Sequence, residues 1–149
     1  MATLEETIKD NASENDHLRK LVKRLSDEAL RTPLSAGWTV SAVFAHLAFW
    51  DQRAIILIEK WKKEGISPSP IDLDVINDAS RRLCLAIEPR QAAELTIALA
   101  DEIDRVIADL TPEMVEAIST KGTTVKLNRA DHRRTHLVEI EKVLREKRA

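Results

Sequence analysis

The chain has 149 residues with 23 Lys+Arg against 25 Asp+Glu, a formal charge of −2. This predicts one domain over residues 1–149 and no clustered cation for duplex nucleic acid or an anionic membrane. Only 3 Gly and 5 Pro occur, with Gly37, Gly65 and Gly122 far apart, which excludes Gly-rich phosphate loops and the Gly-x-Ser-x-Gly nucleophile elbow.

Leu4, Ile8, Ala12, Leu18, Leu21, Val22, Leu25 and Ala29 recur at three- and four-residue spacing and predict a first helix from Leu4 to Arg31, ended by Pro33. Leu34 to Trp38 is a connector, and Thr39 is a good N-cap for a second helix from Val40 to Glu64. That helix carries Val43, Phe44, Leu47, Ala54, Ile58 and Trp61 on one face and should be the most buried element. Gly65 to Pro70 reads as a surface loop. A third helical segment runs from Asp72 to Leu110, broken near Glu88 because Pro89 suits the first turn of a new helix. Thr111-Pro112-Glu113 starts a short piece to Ile118, Lys121 to Leu127 is a loop with extended character around Val125, and a last helix spans Asn128 to Lys147. The fold class is therefore all-α, with four long helices in an antiparallel four-helix bundle. The longest nearly apolar run, Ala42 to Trp50, is about half of what a bilayer span needs. A lone cysteine, Cys84, forms no internal disulfide and the charged N-terminus does not read as a secretory signal, so a reducing cytoplasm is expected.

The chain has four histidines and no tyrosine. His132 and His136 are four apart, so on a helix they project from one face, one turn apart. At about 100° per residue, His136 falls within the apolar stripe of Leu137, Ile140, Val143 and Leu144, and His132 at its edge. The same arithmetic puts His46 on the flank of the second helix's apolar face, beside Trp50 and Leu57. Three inward imidazoles can bind one divalent ion and leave a position open for a water or a thiol. The plainer reading is that these are core or flank histidines, since pairs four apart are common.

The run Trp38-Thr39-Val40-Ser41-Ala42-Val43-Phe44-Ala45-His46-Leu47 resembles the Trp-Ser/Thr…His-Leu signature that opens the second helix in the DinB-like superfamily. His132-x-x-x-His136, followed by Leu137-Val138-Glu139-Ile140, is similar to that superfamily's paired histidines on its fourth helix. The superfamily includes bacillithiol transferases of the YfiT type and mycothiol-dependent maleylpyruvate isomerases. The resemblance covers nearly the whole chain. It implies a four-helix bundle that binds a divalent metal through His46, His132 and His136, often as a homodimer, with a low-molecular-weight thiol as possible cosubstrate.

His17 sits about 100° from the first helix's apolar centre and reads as a flank residue. Asp51 falls on the inward face of the second helix, where an unpaired carboxylate is costly; an arginine of another helix is its expected partner, and a proton-transfer role is the alternative. Glu139 is the other candidate acid or base, and Trp50 and Asn128 are candidate pocket or ligand-orienting residues that read equally well as core and cap. Cys84 reads as a buried free thiol; Arg81, Arg82 and Arg90 are candidates for an anionic cosubstrate or simply a solvated face. The expected function is a metal-dependent enzyme, with Zn or Ni first and Fe or Mn next, acting on a small electrophilic substrate. The thiol S-transferase version comes from the resemblance and the hydrolase version follows equally from the site. The alternative is a metal-binding bundle without turnover, serving stress response or interaction.

Overall fold

Thr3, Ser26, Thr39, Asp72, Glu88 and Thr111 each place a side-chain oxygen on backbone N–H groups at a helix start. Satisfying these orphan donors divides the chain into elements. The computed structural model describes residues 2–148. Its helices are α1 (Leu4–Arg24), α2 (Asp27–Leu30), α3 (Val40–Glu64), α4 (Leu73–Ala86), α5 (Pro89–Ala108), α6 (Pro112–Thr120) and α7 (Ala130–Arg148), with a 3₁₀ turn at Ser35–Gly37. Among the described residues there is no strand, only one β-bridge between Pro33 and Thr39. The loop expected to have extended character around Val125 forms no strand but buries Val125 in the core.

The second helix, its Thr39 cap and the break before Pro89 fall where the sequence places them. The first helix does not reach Arg31. It ends at Arg24, because Leu25 is extended (ψ 129°) and Ser26 starts a separate turn by accepting from the Ala29 N–H at 3.0 Å. Arg90 at the start of α5 secures the break, donating to the Leu25 carbonyl at 2.9 Å and to Asp27 at 2.8 Å.

Helix directions follow from side-chain pairings. Glu14 meets Arg134 and His17 meets Glu141, so α1 and α7 run parallel. Asn15 meets Asp104 while Asp27 meets Arg90, so α1 and α5 are antiparallel. His46 lies beside His136, and Asp51 beside Arg129, so α3 and α7 are antiparallel. It follows that α3 and α5 run the same way, with α4 carrying the chain back between them.

Two apolar layers fill the bundle. One joins Leu18, Leu21, Leu30, Phe44, Leu47, Leu137 and Ile140; the other joins Ile55, Ile58, Trp61, Ile103, Ile107 and Ile118. Between them lies a polar layer of Asn11, Asn15, Asp51, Asp104, Arg129 and Arg133, whose partners are given below. α3 is long and apolar enough to cross a bilayer, but 67% of its most apolar window is buried against its neighbours. It is the core helix.

Candidate metal centre

Residues 40–48 of α3 are buried without interruption, and His46 within that run is 7% exposed. α7 is seated by its first residues. The Asn11 side-chain carbonyl of α1 accepts from the N–H groups of Arg129 (2.8 Å) and Ala130 (3.0 Å), and the Asn128 side chain accepts from the Asp131 N–H at 3.0 Å. Arg129 donates to Asp51 of α3 at 3.0 Å, and Arg133 donates to Asp104 of α5 at 2.8 and 3.0 Å. With both arginines anchored, the neighbouring stripe of α7 turns His132 and His136 toward α3.

The three imidazoles form a near-equilateral triangle. Ring centroids are 5.0 Å apart for His46–His132, 5.0 Å for His46–His136 and 4.9 Å for His132–His136. One ligand nitrogen from each lies within 4.8 Å of the others, and His46 Nε2 is 3.1 Å from His132 Nε2. Two nitrogens bound to one tetrahedral ion at about 2.0–2.1 Å stand roughly 3.3–3.4 Å apart, so this spacing fits shared coordination.

Burial holds the rings neutral. Desolvation, then the charge of His136, lowers the His46 pKa to about 4. Desolvation, followed by His136, His46, Arg129 and Arg133, lowers that of His132 to about 3. His136 is lowered by desolvation against the pull of Glu139. Neutral imidazole is the ligating form, so the donors are available at neutral pH without losing protons. His46 Nδ1 and His136 Nδ1 are also buried without a hydrogen-bond partner among the described residues. Convergent neutral lone pairs suit a soft or borderline cation.

A family model described as the DinB superfamily matches residues 13–140. The chain belongs to the DinB superfamily. No curated protein and no solved structure shows a significant match to it. The superfamily includes metal-dependent enzymes, and this member carries a three-histidine cluster that could hold a metal ion.

Around the triad of this DinB-superfamily chain, the remaining candidates separate. Trp50 is buried, edge-on to His46 at 6.5 Å, and its indole N–H donates to Asn77 of α4 at 3.3 Å. Glu139 is close enough for its charge to act on His136. Asn128 is committed elsewhere, capping α7 and donating to Asp10 at 2.9 Å. Asp51, 4% exposed, is engaged by Arg129 at 2.9 Å and approached by Arg133 at 3.7 Å. Burial raises its carboxyl above the usual range, against the pull of both arginines. The expected ion pair to another helix is thus present, with two arginines rather than one.

His17 bridges Glu14 (2.9 Å) and Glu141 (2.6 Å), away from the triad. Cys84 is buried against Ala42, Ala45 and Ala92, and burial pushes its thiol up. Arg81 pairs with Asp78, Arg90 of α5 pairs with Asp27, and Arg82 is exposed, so these three arginines are paired or solvated.

The sequence places Trp38 in the connector and at the head of the DinB-like signature but gives it no part in the site, yet its ring lies 5.4 Å from His46. Consecutive left-handed residues, Ala36 (φ 55°) and Gly37 (φ 81°), turn the connector just before it. The role of Arg129 and Arg133 was also missed. The available signal was their own four-residue spacing beside the histidine pair.

Proposed function

We propose that the chain is a metal-dependent enzyme in which His46, His132 and His136 hold one divalent transition ion beside a position open to a thiol or water, used against a small electrophilic substrate. The observation that carries this reading is the closed triangle of three neutral imidazoles from two helices. When bound, such an ion supplies Lewis acidity, lowering the pKa of a thiol or water coordinated to it. The chain's own residues orient the donors: Arg129 and Arg133 fix the rotation of α7, and Trp38 and Trp50 flank His46 with apolar surface that limits water. Imidazole donors accept several divalent ions, of which zinc or nickel is proposed first and iron or manganese next.

A bundle that holds the ion without turnover is the competing reading. One observation favours it: Asp51, the nearest buried carboxylate on α3, is committed to arginines and is not free as a base. Elemental analysis of the purified chain addresses the first half of the proposal. About one equivalent of metal is expected in the parent and a near-complete loss in His132→Ala; equal metal in both rejects the site. Transfer of bacillithiol, mycothiol or glutathione onto monochlorobimane addresses the second half. A rate no higher than in metal-stripped protein rejects the transferase reading.

A further inference from the structure

Arg53 is two turns along α3 from His46, with Trp50 between them at four and seven residues' spacing, so the three occupy one stripe of the helix. The Arg53 guanidinium carbon lies 5.6 Å from the centre of the Trp50 ring, and that ring is 6.5 Å from His46. Laid end to end, these distances keep the guanidinium within about 12 Å of the His46 ring.

Its hydrogen bonds all go to neutral acceptors. Nη2 donates to the Ser69 carbonyl at 3.2 Å and to the Thr124 hydroxyl at 2.7 Å. These contacts tie the loop before α4 to the loop before α7. They leave Nε and Nη1 without an acceptor among the described residues, on a side chain that has five N–H donors and matches a carboxylate fork. Arg31, Arg82, Arg105 and Arg145 also lack a carboxylate partner among the described residues, but they are exposed to water; the arginines that are covered, Arg81, Arg90, Arg129, Arg133 and Arg134, each meet a carboxylate.

Charge balance points the same way. In the polar layer, Asp51 and Asp104 match Arg129 and Arg133. Arg53 is then a surplus cation, half-buried beside Trp50 and within reach of the like charge of Arg129. A partly covered cation beside the like charge of Arg129 favours an incoming anion.

Resting on the proposed metal site, we infer that Arg53 reads the anionic end of the site's small ligand: a carboxylate on Arg53, an apolar middle along Trp50, and a thiol at the histidines. Arg53 is a specificity residue in this scheme and takes no part in bond making.

The test uses the full chain loaded with cobalt(II), whose visible spectrum reports what enters the open position. Mercaptohexanoate and mercaptohexanol are the probes, equal in length and differing in the charged end. The acid is expected to bind about tenfold more tightly than the alcohol, the scale of one hydrogen-bonded charge. Arg53→Gln should raise the dissociation constant of the acid about tenfold and leave that of the alcohol unchanged. Arg53→Lys, which keeps the charge without the fork, should weaken the acid about threefold, and it serves if the glutamine variant does not fold. Equal affinities in the parent, or an acid preference untouched in both variants, overturns the role of Arg53; a purely structural arginine would give that second result. If cobalt itself fails to bind in stoichiometric amount, the metal site falls first and this inference with it.

Discussion

Replacing Arg133 by methionine removes the most buried cation of the bundle while nearly conserving its volume. Arg133 is 1% exposed. It donates to the Asn11 carbonyl at 3.0 Å, to both oxygens of Asp104 at 2.8 and 3.0 Å and to the Ala100 carbonyl at 3.4 Å, and lies 3.7 Å from Asp51. After the substitution Asp104 keeps Asn15 at 3.1 Å, and the Asn11 and Ala100 carbonyls lose the donor they have beyond their own helical N–H. Breaking a buried pair from one side costs about 3–5 kcal/mol, here because Asp104 and the more deeply buried Asp51 both lose a cation. Methionine fills the space, so a cavity adds little. At about 2–4 °C per kcal/mol for a chain of this length, the midpoint should fall by roughly 6–20 °C. Urea unfolding and calorimetry on metal-stripped protein measure this without the stabilisation a bound ion adds. A cycle with Asp104→Asn should show coupling above about 1 kcal/mol. A single-variant loss below about 1 kcal/mol, or additivity within about 0.5 kcal/mol, refutes the claim that this layer is an interdependent ion network.

Two further outcomes follow from individual titrating groups. Burial opposes charge on His17, but hydrogen bonds to Glu14 and Glu141 and their charges outweigh it, raising its pKa above 6.5. The stability it contributes is therefore complete below pH 6.5 and lost as pH rises through the raised value. Urea midpoints recorded from about pH 6 to 9 should decline in the parent and flatten in His17→Gln, and an unchanged slope in the variant contradicts the bridge. Cys84 is 5% exposed with its thiol pushed up by burial, so it should react with a disulfide dye about 100-fold more slowly in native protein than in urea. Comparable rates in the two would place the thiol at the surface.

The sequence made legible what local chemistry decides. Thr39 and Gly65 bracket α3 because a cap hydroxyl and a left-handed glycine (φ 85°) have few other uses at those positions. His132 and His136 were paired by helical periodicity, and His46 was joined to them by its angle on its own helix together with the resemblance to the DinB-like signature. The break at Leu25 was hidden because Leu25 continues the apolar spacing; Ser26-Asp27-Glu28, a cap followed by acids, was the contrary signal. The parallel course of α3 and α5 depends on how α4 folds back, and periodicity carries no direction. That Asp51 needs a cation was readable from one residue, whereas the choice of Arg129 and Arg133 depends on the docking of a helix 78 positions away.

That docking also dictates when the site exists. His46 and His132 meet across 86 positions, Asp51 and Arg129 across 78, and Asn11 and Ala130 across 119. Loop-closure entropy grows only slowly with length, so these spans take little from equilibrium stability. They set the sequence of events instead, since distant contacts form late. During synthesis α3 and α5 can pack before α7 has been made, leaving His46 as a lone imidazole with weak hold on any ion. The three-nitrogen cluster is thereby completed only when the last helix closes, and a partly folded chain presents no such cluster to any ion.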